Sequence, residues 1–144
     1  MKIKTRKWTD KDIPILADIE RLTFAAPWSE QMLAEEYGNK FFECIIAEID
    51  DKIAGYINYH IIADEYHIAN LAVRENFKKQ GVATNLLAYL IDMAIKNKSY
   101  GITLEVRQSN EAAIGLYSKF GFIKEGKRIK YYGNEDAVIM WKYL

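Results

Sequence analysis

"EYHIANLAVRENFKKQGVATNLLAYLIDMAIKNKSYGITLEV", residues 65–106, carries the change of period that decides the fold. Its first nine residues read as a strand, and a basic loop containing Gly81 follows. From Val82 the apolar spacing becomes helical: Val82, Leu86, Leu87, Leu90, Ile91, Ala94 and Ile95 recur on one face. That spacing predicts the longest helix of the chain, packed on a sheet. "GITLEV" then returns to a strand. Strand, long helix and strand make a crossover, which sets the two strands parallel.

Upstream, "IKTRKW" reads as a first strand, and Thr9 and Asp10 cap a helix with Pro14 in its first turns, running to about Phe24. "APWSEQMLAEEYGNK" breaks at Pro27, restarts with Ser29 as N-cap and stops at Gly38. "FFECIIAEI" and "IAGYINYHII" are strands joined by Asp50-Asp51-Lys52, and with "EYHIANLAV" they form an antiparallel meander. Downstream, "NEAAIGLYSKF" is a helix with Asn110 as N-cap and Gly121 as its stop. "FIKEGKRIKYY" and "DAVIMWKYL" close the chain as a second hairpin. The sum is one domain over residues 1–144, α/β or α+β, with about seven strands and four helices around one mixed sheet.

Composition excludes several classes. Lys+Arg and Asp+Glu both number 20, so there is no basic excess of the kind that nucleic acid selects. Cys44 is the only cysteine and His60 and His67 the only histidines, which leaves no disulfide and no metal-ligand spacing. No apolar run nears the ~20 residues of a membrane span, and "MKIKTRKW" has no apolar signal region; the expected setting is the cytoplasm.

Two stretches carry chemistry. In "NLAVRENFKKQGVATNLL" a strand runs through Lys78, Lys79, Gln80 and Gly81 into a helix whose first N–H groups, at Val82, Ala83 and Thr84, suit a phosphate. In "LEVRQSNEAAIGLY" alternation puts Leu104 and Val106 on one side and Glu105 on the other, near the carboxyl end of a parallel strand where open sheets gather ligands. Asn110, Ala113, Ile114 and Tyr117 share a helix face. The residues alone leave two readings: Glu105 in an ion pair with Arg107 or a lysine and Tyr117 at the surface, or both in a reaction centre.

"VRENFKKQGVATNLL" resembles the acetyl-CoA-binding motif of the GNAT superfamily of N-acetyltransferases, and "LEVRQSNEAAIGLYSKFGF" and "YYGNEDAVIMW" resemble its following motifs. With "PWSEQML" the set is similar to the RimI-type branch, which acetylates the N-terminal alanine of a small-subunit ribosomal protein. Lys78 stands at the family's Gln/Arg position and Ala83 at the commoner second glycine. The resemblance implies the GNAT fold, with two parallel strands splayed apart, often by a β-bulge. Acetyl-CoA is then the co-substrate, with no metal: pantetheine along Leu71, Ala72 and Val73, pyrophosphate on Gln80 to Thr84 beside Lys78 and Lys79, and Asn110 on the cofactor arm.

Under the same resemblance Glu105 is the general base for the acceptor amine and Tyr117 the acid that reprotonates the CoA thiolate. Trp28 and Tyr132 wall the acceptor groove. The implied partner is the N-terminal segment of a protein substrate, a ribosomal one, without nucleic acid or membrane. Arg107 is read as a salt-bridge partner, His67 as a packed or rim residue and Cys44 as core filling. A small-amine acetyltransferase (polyamine or antibiotic) and a catalytically idle acyl-CoA-binding module are the rival readings; an acetyltransferase of charged tRNA is disfavoured by the neutral charge.

Overall fold

A computed structural model describes residues 2–144. Among them the strands are β1 (Lys4–Lys7), β2 (Phe42–Ile49), β3 (Lys52–Ile62), β4 (Glu65–Val73), β5 (Gly101–Arg107), β6 (Ile123–Arg128) and β7 (Ala137–Tyr143). The α-helices are α1 (Ile13–Thr23), α2 (Glu30–Glu36), α3 (Val82–Lys96) and α4 (Glu111–Lys119), with short 3₁₀ turns at Asp10–Asp12 and Glu75–Phe77. The sheet is mixed, in the order β1-β2-β3-β4-β5-β7-β6. The chain gathers into two compact units, one running to His60 and resuming over Asn70–Tyr89, the other comprising Ile61–Ala69 and Leu90–Leu144.

In the first unit α1 buries Ile13, Leu16, Ala17 and Glu20, one stripe at helical spacing, while Leu22 on the far side is exposed. Pro14 sits in its first turn, where the missing N–H costs nothing. The Ser29 hydroxyl accepts the Met32 N–H (3.1 Å) to start α2, and Gly38 (φ +94°) follows its end. Asp50 (φ 52°) and Asp51 (φ 61°) adopt the left-handed pair that a two-residue hairpin turn requires, so β2 and β3 pair antiparallel. Trp8, Leu16, Leu33, Phe42, Cys44 and Tyr56 belong to the core of this unit.

In the second unit β5 is central. β4 runs parallel to it from Glu65↔Gly101 to His67↔Thr103, while β7 pairs with it antiparallel along its whole length. β6 lies outside β7, with a register shift between Lys124 and Gly126. The final hairpin therefore folds back so that its second strand, not its first, meets β5. Ile102, Leu104, Val106, Tyr117, Phe122 and Met140 are buried here. Along α3 the expected apolar face is buried from Val82 to Ala94, but Ile95 is exposed. It lies one residue before the helix ends, where the stripe has drifted off its covered side.

Candidate active site

On β4, Ala72 is buried and Leu71 and Val73 are half-buried. Gly55 of β3 makes their position possible. A Cβ there would sit 2.4 Å from the Ala72 carbonyl oxygen and 3.2 Å from the Val73 Cα, so any side chain would push the β4 backbone away. The Arg74 N–H donates to the Ala54 carbonyl (2.8 Å) as the strand ends. Sequence reading passed over Gly55, because one glycine in a strand has no signature beyond weakening it.

The loop beyond turns on two left-handed residues, Lys79 (φ 62°) and Gly81 (φ +84°). The Asn85 N–H donates to the Gly81 carbonyl (2.9 Å), so the N–H groups of Val82, Ala83 and Thr84 precede the reach of the helical ladder. Nothing lies within 4 Å of where a Gly81 Cβ would stand. Successive backbone donors, an unobstructed approach and the positive end of a 15-residue helix suit a diphosphate. Lys78, expected to add charge, is engaged with Glu75 (3.0 Å); the Gln80 amide donates to the Asn76 carbonyl (3.3 Å).

Trp28 is half-buried, its ring stacked on Phe42 with centroids 5.4 Å apart. Its backbone N–H donates to Glu20 Oε1 (2.9 Å). Trp28 is thus packed against the core while staying only partly buried.

In the second unit Glu105 stands opposite Ile139 of β7. Its Oε1 lies 3.1 Å from Nε of Arg128, not from Arg107 or a lysine. Arg128 is well exposed, so solvent screens the pair. The other oxygen, Oε2, is buried without a hydrogen-bond partner among the described residues. A buried carboxylate oxygen with vacant lone pairs is placed to accept a proton or a donor.

Arg107 instead contacts Glu135 (3.2 Å) and the Asn134 side chain (3.0 Å), and its guanidinium lies 4.3 Å from the Tyr132 ring centroid. Glu135 also accepts from the Ser109 N–H (3.1 Å) and hydroxyl (3.0 Å), so one carboxylate fixes the turn carrying Tyr132 to the end of β5. Those bonds, from Ser109 first and then Arg107, hold Glu135 below the usual carboxylate range. The salt-bridge role expected of Arg107 is what the structure gives it.

Asn110 caps α4 by accepting the Ala113 N–H (3.1 Å) through Oδ1. Tyr117 is buried, edge-on to Phe122. Burial pushes its phenol above the ordinary range, which keeps the proton on the oxygen throughout the neutral region. His67 meets Glu65 (3.0 Å) and the edge of Trp141, a rim arrangement, and Cys44 is fully buried. Arg128, Glu135, Glu20 and Gly55 escaped sequence reading. Only Glu20 left a trace, a charge at a position where the α1 stripe is otherwise apolar.

No helix of the described residues is long and apolar enough to cross a membrane, and no group of three or more His, Cys, Asp or Glu among them suits a metal ion. The Acetyltransferase (GNAT) family matches residues 13–122. The [ribosomal protein bS18]-alanine N-acetyltransferase of Escherichia coli K12 is 36% identical over 133 residues, covering 90% of this chain and 89% of that one. Its namesake from Haemophilus ducreyi is 36% identical over 140 residues, covering 94% and 96%. The crystal structure of the ribosomal-protein-S18-alanine N-acetyltransferase from Escherichia coli gives a TM-score of 0.91 at 32% identity, over 99% of this chain and 94% of that one.

Proposed function

Because this chain belongs to the GNAT family of acetyltransferases and is an acetyl-CoA-dependent N-acetyltransferase, we propose that its acceptor is the N-terminal alanine α-amine of a small-subunit ribosomal protein. The similarity to enzymes named for that acceptor, over nine-tenths of the chain, supports the substrate. The vacant Oε2 of Glu105 carries the chemistry.

Acetyl-CoA supplies an acetyl group activated as a thioester. An ammonium has no lone pair to attack it, and an α-amine of pKa about 8 needs only a modest push near neutrality. Glu105 takes that proton, directly or through a water. The neutral amine then attacks the thioester carbonyl, and the backbone N–H near Val73 stabilises the oxyanion. Collapse forms the amide and breaks the C–S bond; Tyr117, still protonated, gives its proton to the departing thiolate and is reprotonated as the new amide nitrogen sheds its surplus proton. Leu71 to Val73 bind pantetheine along the strand, Gln80 to Thr84 with Lys78 and Lys79 take the pyrophosphate, and Asn110 contacts the arm. Trp28 and Tyr132 give flat apolar contact to the first residues of an extended peptide.

Tyr117→Phe removes only the hydroxyl. Turnover is expected to fall ~10-fold or more while the melting temperature holds within a few degrees. Equal turnover would return Tyr117 to packing alone.

The acceptor is tested by CoA release with an alanine-initiated peptide, free alanine, spermidine and a peptide whose only amine is a lysine side chain. The alanine peptide is expected to lead by ~10-fold or more in kcat/KM, since each extra backbone hydrogen bond in a groove contributes about 1 kcal/mol. Trp28→Ala and Tyr132→Ala should raise its KM and spare acetyl-CoA affinity. Spermidine as the better substrate would replace this acceptor with a small amine.

A further inference from the structure

Glu20 is fully buried in α1, on the stripe whose other members are Ile13, Leu16 and Ala17. Neutral donors hold its carboxylate. The Trp28 backbone N–H donates to Oε1 (2.9 Å), the Asn70 side-chain amide reaches both oxygens (3.1 and 2.9 Å), and the Tyr56 hydroxyl donates to Oε2. Asn58, also fully buried, accepts the Asn70 backbone N–H through Oδ1 (2.8 Å), so it fixes the main chain of the residue whose side chain Glu20 binds.

Buried charge is a poor way to stabilise a core, since an apolar residue of similar volume usually does as well or better. What a carboxylate offers is geometry. Its two oxygens collect donors from three separated segments: the loop after α1, β3, and β4 one residue before Leu71. Each donor left unmade would be a buried, unsatisfied polar group, so the three segments are locked as a set.

We infer that Glu20 is a positioning residue for the acceptor: it ties the Trp28 wall to β4 at Asn70. The inference rests on the reading of Trp28 as a groove wall. The link acts through the main chain: the ring stacks on Phe42, and the backbone N–H of the same residue is anchored to Glu20.

Glu20→Leu keeps the volume and removes every acceptor. Glu20→Gln keeps one oxygen for the Trp28 N–H and the Asn70 amide; its own N–H turns to the Tyr56 oxygen and the second Asn70 contact is given up, so the Trp28–Asn70 link itself is retained. Steady-state kinetics compare the two with wild type on the alanine peptide and on alaninamide, which has no second residue to rest on Trp28. Amide exchange at Trp28 is measured alongside. For Glu20→Leu the peptide KM should rise ~10-fold, with kcat changed less than about threefold, and KM for alaninamide and acetyl-CoA affinity held within about twofold. Exchange at Trp28 should quicken, and Glu20→Gln should restore the peptide KM.

A folded Glu20→Leu with wild-type peptide KM, or with equal loss on both acceptors, would overturn the role. If Glu20→Leu does not fold, Asn70→Ala cuts the β4 end of the same link and carries the same expectation. If wild type prefers spermidine, the proposed acceptor falls by itself, and the split is read between spermidine KM and acetyl-CoA affinity. An unchanged spermidine KM in the folded variant would then overturn the inference.

Discussion

Glu105→Gln is expected to lower turnover ~10²-fold or more at neutral pH with acetyl-CoA affinity unchanged. The amide keeps the shape of the side chain, and its carbonyl oxygen can still accept from Arg128 Nε, which lies 3.1 Å from Oε1 in the native protein. What disappears is the basic oxygen at the buried Oε2 position. The incoming amine must then lose its proton to bulk water before it attacks. That loss is small when the amine is already neutral, so the deficit should shrink as pH rises through the α-amine pKa of about 8. Wild-type turnover in the variant at pH 7 would place the base elsewhere. A deficit constant from pH 6 to pH 10 would show that Glu105 acts by orientation or charge and not by taking a proton.

Gly81→Val is expected to weaken acetyl-CoA binding ~10- to 10²-fold, for two separable reasons. At φ +84° a β-branched residue is strained, a cost of about 1–3 kcal/mol that falls on the fold as well as the ligand. The side chain would also project where nothing now lies within 4 Å, the approach left open to the amides of Val82 to Thr84. Gly81→Ala adds the strain with little bulk, so comparing the two by calorimetry and thermal melting divides the causes. Both variants should melt lower, and valine should lose the larger share of affinity. An unchanged dissociation constant in folded Gly81→Val would remove this loop from the phosphate site.

The crossover was legible because its signals are local: a change of period at Val82, a glycine before it and a strand after it. The caps at Ser29 and Asn110 were legible for the same reason, since a cap is written within four residues. Pairing that depends on distant partners was not. Nothing in the sequence says that β7 rather than β6 meets β5, because a hairpin signal fixes which strands are adjacent but not which of them faces outward. Arg107 and Arg128 look equivalent in sequence, yet one serves Glu135 and the other Glu105. The distinction arises from the fold of the turn over residues 131–136, which brings Glu135 to the end of β5. Ile95 shows the reverse error: helical spacing continued past the point where anything covered it.

Cys44 decides how this enzyme can be observed. Its thiol is fully buried, and burial pushes its pKa well above the ordinary value, so the reactive thiolate is scarce while the protein stays folded. It is also the only cysteine in the chain. A colorimetric thiol reagent should therefore register released CoA against a silent protein background, with no need to mutate the native residue. The same silence makes a cysteine introduced at an exposed site, such as Leu22 or Ile129, the sole handle for a fluorophore or spin label. Slow labelling of Cys44 itself would then time global opening of the core, a clock already built into the chain.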